Sequence, residues 1–148
     1  FMDNKLIDGV KISPLRIIET EGGNILHAMK STDNDFNGFG EAYFSIVHQG
    51  AIKAWKRHRK MTLNLIVPVG SIRFVMHDDR KNSPTKGKFQ SIEMSKDNYQ
   101  RLSVPPMVWL GFEGCEKGLN MLLNIADIPH DPNEADNLDK EKIEYNWR

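Results

Sequence analysis

One cysteine in 148 residues, Cys115, excludes an intrachain disulfide and a structural zinc site built from cysteines. Excess charge is missing too. Twenty Lys and Arg are offset by twenty Asp and Glu, which argues against a broad electrostatic footprint for DNA, RNA or anionic lipid. A charged ligand must then be met locally. No apolar run approaches the roughly 20 residues of a bilayer-spanning helix, and the first residues lack a signal-peptide layout. With the lone cysteine, this makes a reducing cytoplasm the expected location, with neither nucleic acid nor membrane as partner. Phe1 ahead of Met2 reads as an added residue. Helix-length amphipathic patterns are scarce, and no internal repeat recurs at the scale of about 20–50 residues.

What the chain does have, from Tyr43 onward, is a succession of short apolar runs broken by turn residues. That rhythm suits an all-β barrel or sandwich in one domain. Glu41–Val47, Ile52–Trp55, Met61–Val67, Ser71–Met76, Phe89–Met94, Arg101–Val104 and Leu119–Ala126 read as strands, with Pro68-Val69-Gly70 closing one and opening the next. Ahead of them, Gly22-Gly23 separates Leu15–Glu21 from Ile25–Met29 in a hairpin-like start, and Asp33–Gly38 is a polar loop. After Ile128, two prolines and many acidic residues predict a meandering surface segment that ends in Ile143-Glu-Tyr-Asn-Trp147. The barrel is expected over residues 15–127 and this segment over 128–148.

Side chains two apart share a face of a sheet. Leu63, Leu65 and Val67 fall on one face, Asn64 and Ile66 on the other; Ile72, Phe74 and Met76 oppose Ser71, Arg73 and Val75. One face is apolar throughout. Asn64 and Arg73 occupy the other, where they either line a polar cavity or face solvent.

Cupin barrels often hold a metal through G-x5-H-x-H-x3-4-E-x6-G and P-x-G-x2-H. Gly50, Lys56-Arg-His58 and Gly70 keep the first frame, and Pro105-Pro-Met-Val-Trp-Leu110 the second. Lys56, Leu63 and Leu110 stand where ligands belong, which leaves His58 alone where a metal needs about three donors. No metal or other cofactor is expected.

The stretch Asp78-Asp-Arg-Lys-Asn-Ser-Pro-Thr-Lys-Gly-Lys88 resembles the D-x-R-x-x-S-P-T-x-G-K segment of the metal-free sugar-nucleotide cupins typified by dTDP-4-dehydrorhamnose 3,5-epimerase. Met94–Asn98 is similar to their L-S-x-E-N, Leu102–Phe112 to L-x-I-P-x-G-F-A-H-G-F, Gly50–Lys56 to G-V-L-R-G-L-H and Ile143–Trp147 to I-R-W-N-D. The resemblance covers about residues 15–148. It implies a double-stranded β-helix, or jelly-roll, barrel and a homodimer with crossing N-terminal strands. It also implies a nucleotide-diphosphate sugar as ligand and proton transfer on a 4-keto-6-deoxyhexose in cell-surface polysaccharide synthesis. Lys53–Met61 also aligns without a gap to R-G-x-H-A-H-K-K-x of the related 3,4-ketoisomerases.

Departures from the family fall on its catalytic positions. Its general-base His aligns with Lys56, its second barrel His with Leu110, its Tyr with about Leu123 and its Lys with Leu63; the carboxylate partner of the base would fall beyond Arg148. The candidate catalytic residues are therefore His58 as proton shuttle, Lys56 as a cation for an enediolate or as a base, and Tyr43 as a replacement acid. Lys53 stands where the family grips the diphosphate with an Arg, and it keeps the charge without the bidentate fork. Trp55 and Trp109 offer rings for stacking, and Asn64 and Arg73 complete the candidate binding set. Arg80, Pro84 and Gly87 are expected to build a hairpin at the barrel mouth, and His27, His48, His77 and His130 to sit in loops or on the surface. Three readings remain open: an active epimerase or isomerase with a reorganised site, a sugar-nucleotide-binding cupin without turnover, and a structural module whose interior is plugged by Leu63, Leu110 and Leu123.

Overall fold

Alternating apolar positions commit each strand to one buried face, and the strands roll to bring those faces together. The computed structural model describes residues 5–148, so Phe1 and Met2 lie outside the described residues. Its strands are β1 (Lys11–Pro14), β2 (Ile17–Ile18), β3 (Ile25–Leu26), β4 (Glu41–Ile46), β5 (Ile52–His58) and β6 (Leu63–Val69). There follow β7 (Ser71–His77), β8 (Phe89–Ser95), β9 (Gln100–Val104), β10 (Trp109–Gly114), β11 (Met121–Ala126) and β12 (Ala135–Asn137).

One sheet runs β1-β9-β6-β11-β4 and the other β12-β5-β10-β7-β8, while β2 and β3 form a separate ribbon. Every pairing between these strands is antiparallel. Ile72, Phe74 and Met76 of β7 are fully buried against Leu65 and Val67 of β6, Leu102 of β9 and Leu122 of β11, so the core lies between the two sheets. This is the expected all-β jelly-roll of a cupin. No helix among the described residues is long and apolar enough to cross a membrane.

At the turn from β6 to β7, Gly70 has φ +76°, and a Cβ there would sit 2.3 Å from the Leu119 carbonyl. Only glycine meets both demands. The Asp78–Lys88 segment folds around Asp78, which is fully buried and accepts hydrogen bonds from Arg80 Nε at 2.8 Å, Ser83 Oγ at 2.5 Å and Thr85 Oγ1 at 2.6 Å. Arg80 also donates to the Asp8 carbonyl, and Thr85 Oγ1 accepts from the Asp8 amide, which staples the N-terminal segment to this turn.

The segment after Ile128 runs along the surface, and part of it pairs as a strand. β12 pairs with β5, with Ala135 opposite His58 and Asn137 opposite Lys56, and the Trp55 and Leu138 main chains exchange hydrogen bonds. Trp147 then buries its ring against Trp55 and Trp109 on the outer face of the second sheet. Gly111 makes room for it, since a Cβ there would meet the Trp147 ring at 3.1 Å. Unpaired strand edges need cover, and the basic run at the end of β5 obtains it from Asp136, bonded to both Arg57 and Arg59.

Candidate active site

Between β4, β6 and β11 of the first sheet and β5 and β10 of the second lies a cavity of about 400 Å³, ample for a small ligand. Its apolar lining includes the buried Leu63, Leu65, Leu110 and Leu122. Its polar lining comes from both sheets, with Tyr43, Ser45 and Asn124 on the first and Lys53, Lys56, His58 and Asn137 on the second. Because Leu63 and Leu110 border open space, and Leu123 is absent from the lining, the plugged interior is not what forms.

His58 reaches this cavity from the end of β5, and its Nδ1 lies 2.7 Å from Oε1 of Glu134. Both side chains are buried. Glu134 Oε2 accepts from the amides of Lys60 at 2.8 Å and Met61 at 2.9 Å, which locks the carboxylate in place. Burial alone would push the Glu134 carboxyl up, but the hydrogen bonds from His58 and the two amides outweigh it and bring it down to about 2. His58 thus has a carboxylate partner from within the chain. A carboxylate on Nδ1 engages that nitrogen and leaves Nε2 as the other ring position.

Register explains which β5 residues join His58. Leu110 of β10 pairs with Lys56 and Phe112 with Lys53, so β5 carries one extra residue across this interval. Lys53 and Lys56 therefore both border the cavity despite being three apart, and Lys53 Nζ reaches the Ile46 carbonyl of β4 at 3.2 Å. Trp55 borders the cavity as well, while its ring packs on Trp147 and its indole N–H bonds the Lys140 carbonyl.

Three other candidate binding residues stay out of the cavity. Trp109 packs on the outer face, under the Arg57 guanidinium, and donates to Asp79 at 2.9 Å. Arg73 is half-buried and paired with Glu113 at 2.7 Å, and also donates to the Trp147 carbonyl. Asn64 is buried: it accepts from Ser103 Oγ at 2.7 Å and donates to the Ile125 carbonyl at 2.9 Å. Alternation placed Asn64 and Arg73 opposite the core correctly; what covers that face was not visible. No residue of the Asp78–Lys88 turn borders the cavity, and His77 belongs to β7, where it stacks on Phe89.

Sequence reasoning missed Glu134, Asn124, Ser45 and Asn137. A readable signal existed for Asn124, a lone amide inside the apolar run Met121–Ala126. Glu134 had none, being one acid among many in the tail. Among the described residues no three His, Cys, Asp or Glu side chains converge as metal ligands.

Barrel, cavity and buried histidine–carboxylate pair together define a cupin with a ligand-sized site. The chain belongs to the dTDP-4-dehydrorhamnose 3,5-epimerase family, whose profile matches residues 9–147. It is 28% identical over 146 residues to the spore coat polysaccharide biosynthesis protein SpsL of Bacillus subtilis, covering 96% of this chain and 97% of that one. Over 141 residues it is 26% identical to the probable low-salt glycan biosynthesis epimerase Agl13 of Haloferax volcanii, covering 94% and 88%. A crystal structure of a dTDP sugar isomerase from Desulfovibrio desulfuricans superposes with a TM-score of 0.92 at 40% identity, covering 95% of this chain and 92% of that one.

Proposed function

We propose that the protein is an active sugar-nucleotide epimerase or keto-isomerase that works on a 4-keto-6-deoxyhexose, carried on dTDP, in glycan or polysaccharide biosynthesis. The observation that carries this reading is the buried His58–Glu134 pair at the wall of an open cavity. Family membership and the names of the relatives support the substrate class.

A carbon beside a ketone is acidic because its carbanion is shared with the carbonyl oxygen. His58 Nε2 takes that proton, the C–H bond becomes the enolate double bond, and Glu134 stabilises the imidazolium that results. Lys56 lies on the same strand and offers its ammonium to the enolate oxygen. Return of a proton from the opposite side inverts the carbon, with the Tyr43 phenol as donor. Transfer of the neighbouring hydroxyl's proton to the enolate oxygen, followed by return of the carbon-bound proton from His58 to the former carbonyl carbon, would instead move the ketone. Lys53 meets the diphosphate at the exposed end of the site. Apolar Leu63 and Leu110 at family polar positions favour a second reading, a cupin that binds the sugar nucleotide without turnover.

Calorimetric titration with dTDP-, UDP-, GDP- and CDP-sugars, paired with product analysis, separates the two. Binding of a dTDP-sugar, weakened about tenfold by Lys53→Ala, together with product, is expected; binding without product selects the second reading, and no binding removes both. The partner is a second copy of this chain. Support comes from the edge strand β4, which exposes Phe44 and Ile46, and from Ile25 on the β2–β3 ribbon.

A further inference from the structure

We infer that Asn124 is a positioning residue that turns the Tyr43 hydroxyl proton into the cavity; this rests on the epimerase reading above. Asn124 is fully buried in β11 and lines the cavity beside Tyr43. Its amide has one possible orientation. The Asn64 main-chain N–H, which can only donate, points at Oδ1 at 3.1 Å, so Nδ2 is the corner that faces Tyr43 Oη, at 3.2 Å. An amide nitrogen only donates as well. The phenol oxygen must therefore accept, and its own proton is released to point elsewhere. Tyr43 is 45% exposed and borders the cavity, so the free direction is toward a ligand.

Asn64 completes the device. Its side chain is held by Ser103 Oγ and the Ile125 carbonyl, which anchors the β6 main chain that in turn fixes Asn124. A residue expected to touch the substrate thus acts two steps behind it.

The arrangement puts an acid on the first sheet across from the base on the second. When the enolate is quenched, the Tyr43 O–H bond breaks, a C–H bond forms and the enolate electrons reform the ketone. The phenolate left behind keeps the N–H of Asn124 as its hydrogen-bond donor and regains a proton from water. The position aligned with the family's tyrosine, about Leu123, does not border the cavity, so this acid comes from a different strand.

Asn124→Asp tests the inference because it keeps the acceptor for the Asn64 amide and replaces the donor that faces Tyr43 with a second acceptor. In heavy water at pH 8 with dTDP-4-keto-6-deoxyglucose, inverted product should fall about 100-fold, as in Tyr43→Phe. Deuterium uptake into recovered substrate, which needs only His58, should stay within about threefold, and the double variant should be no worse than either single one. Unchanged product, or product and exchange falling together, overturns the inference. If the unsubstituted chain shows no exchange at all, the epimerase reading fails, and ligand-free NMR of 13Cζ-labelled tyrosine decides this point alone. Asn124→Asp should then move the Tyr43 resonance and leave Tyr99 and Tyr145 in place; no movement overturns it.

Discussion

Glu134 has both oxygens engaged before any ligand arrives, one on the His58 ring and the other on two main-chain amides. Replacing it with Gln keeps the volume and removes the charge that stabilises a protonated ring, so kcat should fall by about 10²–10⁴ with the circular dichroism spectrum unchanged. Stability carries a second signature of the same group. The folded carboxyl ionises at about 2, below the roughly 4.3 of an unfolded chain, so its contribution is complete above about pH 4.3. It is lost as pH falls toward 2, and amounts to on the order of 3 kcal/mol. Urea unfolding between pH 5 and 2.5 should therefore show a shallower loss in Glu134→Gln than in the unsubstituted chain. Asp78 is the structural counterpart: burial opposes its ionisation, but Arg80, Ser83 and Thr85 hold its carboxyl well below the usual carboxylate range. Asp78→Ala leaves Arg80 without its carboxylate and should cost about 3 kcal/mol in urea unfolding. The Asp78–Lys88 stretch was legible in sequence as a signature, and its work is to hold a turn together.

Among the elements, the C-terminal strap and the bulged β5 decide which side chains share the site. Strand alternation gave the apolar faces of β6 and β7 directly, because a period of two needs no tertiary information. On β5 the period of two is interrupted, because one extra residue resets the parity between Lys53 and Lys56. Local composition carries no mark of such a bulge. After Ile128 prolines and acids mark a surface segment, while the pairing that captures it comes from an uncovered strand edge elsewhere in the chain. The strap is anchored at its far end by Trp147, packed over Gly111. Trp147→Ala should cost about 3 kcal/mol and speed amide hydrogen exchange at Ala135–Asn137 before any other strand. Equal protection of β12 in both proteins would show that its pairing with β5 stands without the anchor.

For the whole molecule, zero net charge removes any general attraction to an anionic ligand, so the proposed sugar nucleotide would have to be met locally, by the lysines of β5 that border the cavity. The jelly-roll was legible because its strands are short, regular and apolar on one side. The pairing of His58 with Glu134, 76 residues apart, was not, because it exists only once β12 has docked. A second copy of the chain is expected over β4, so Phe44→Asp with Ile46→Asp should halve the mass measured by light scattering; an unchanged mass would place the contact elsewhere. The most direct measurement of the account is deuterium uptake from heavy water at the carbons flanking the ketone of dTDP-4-keto-6-deoxyglucose, compared between the unsubstituted chain and His58→Gln. The account predicts uptake in the first and a loss of about 100-fold or more in the second. Equal uptake in both, or none in either while the ligand binds, would contradict it.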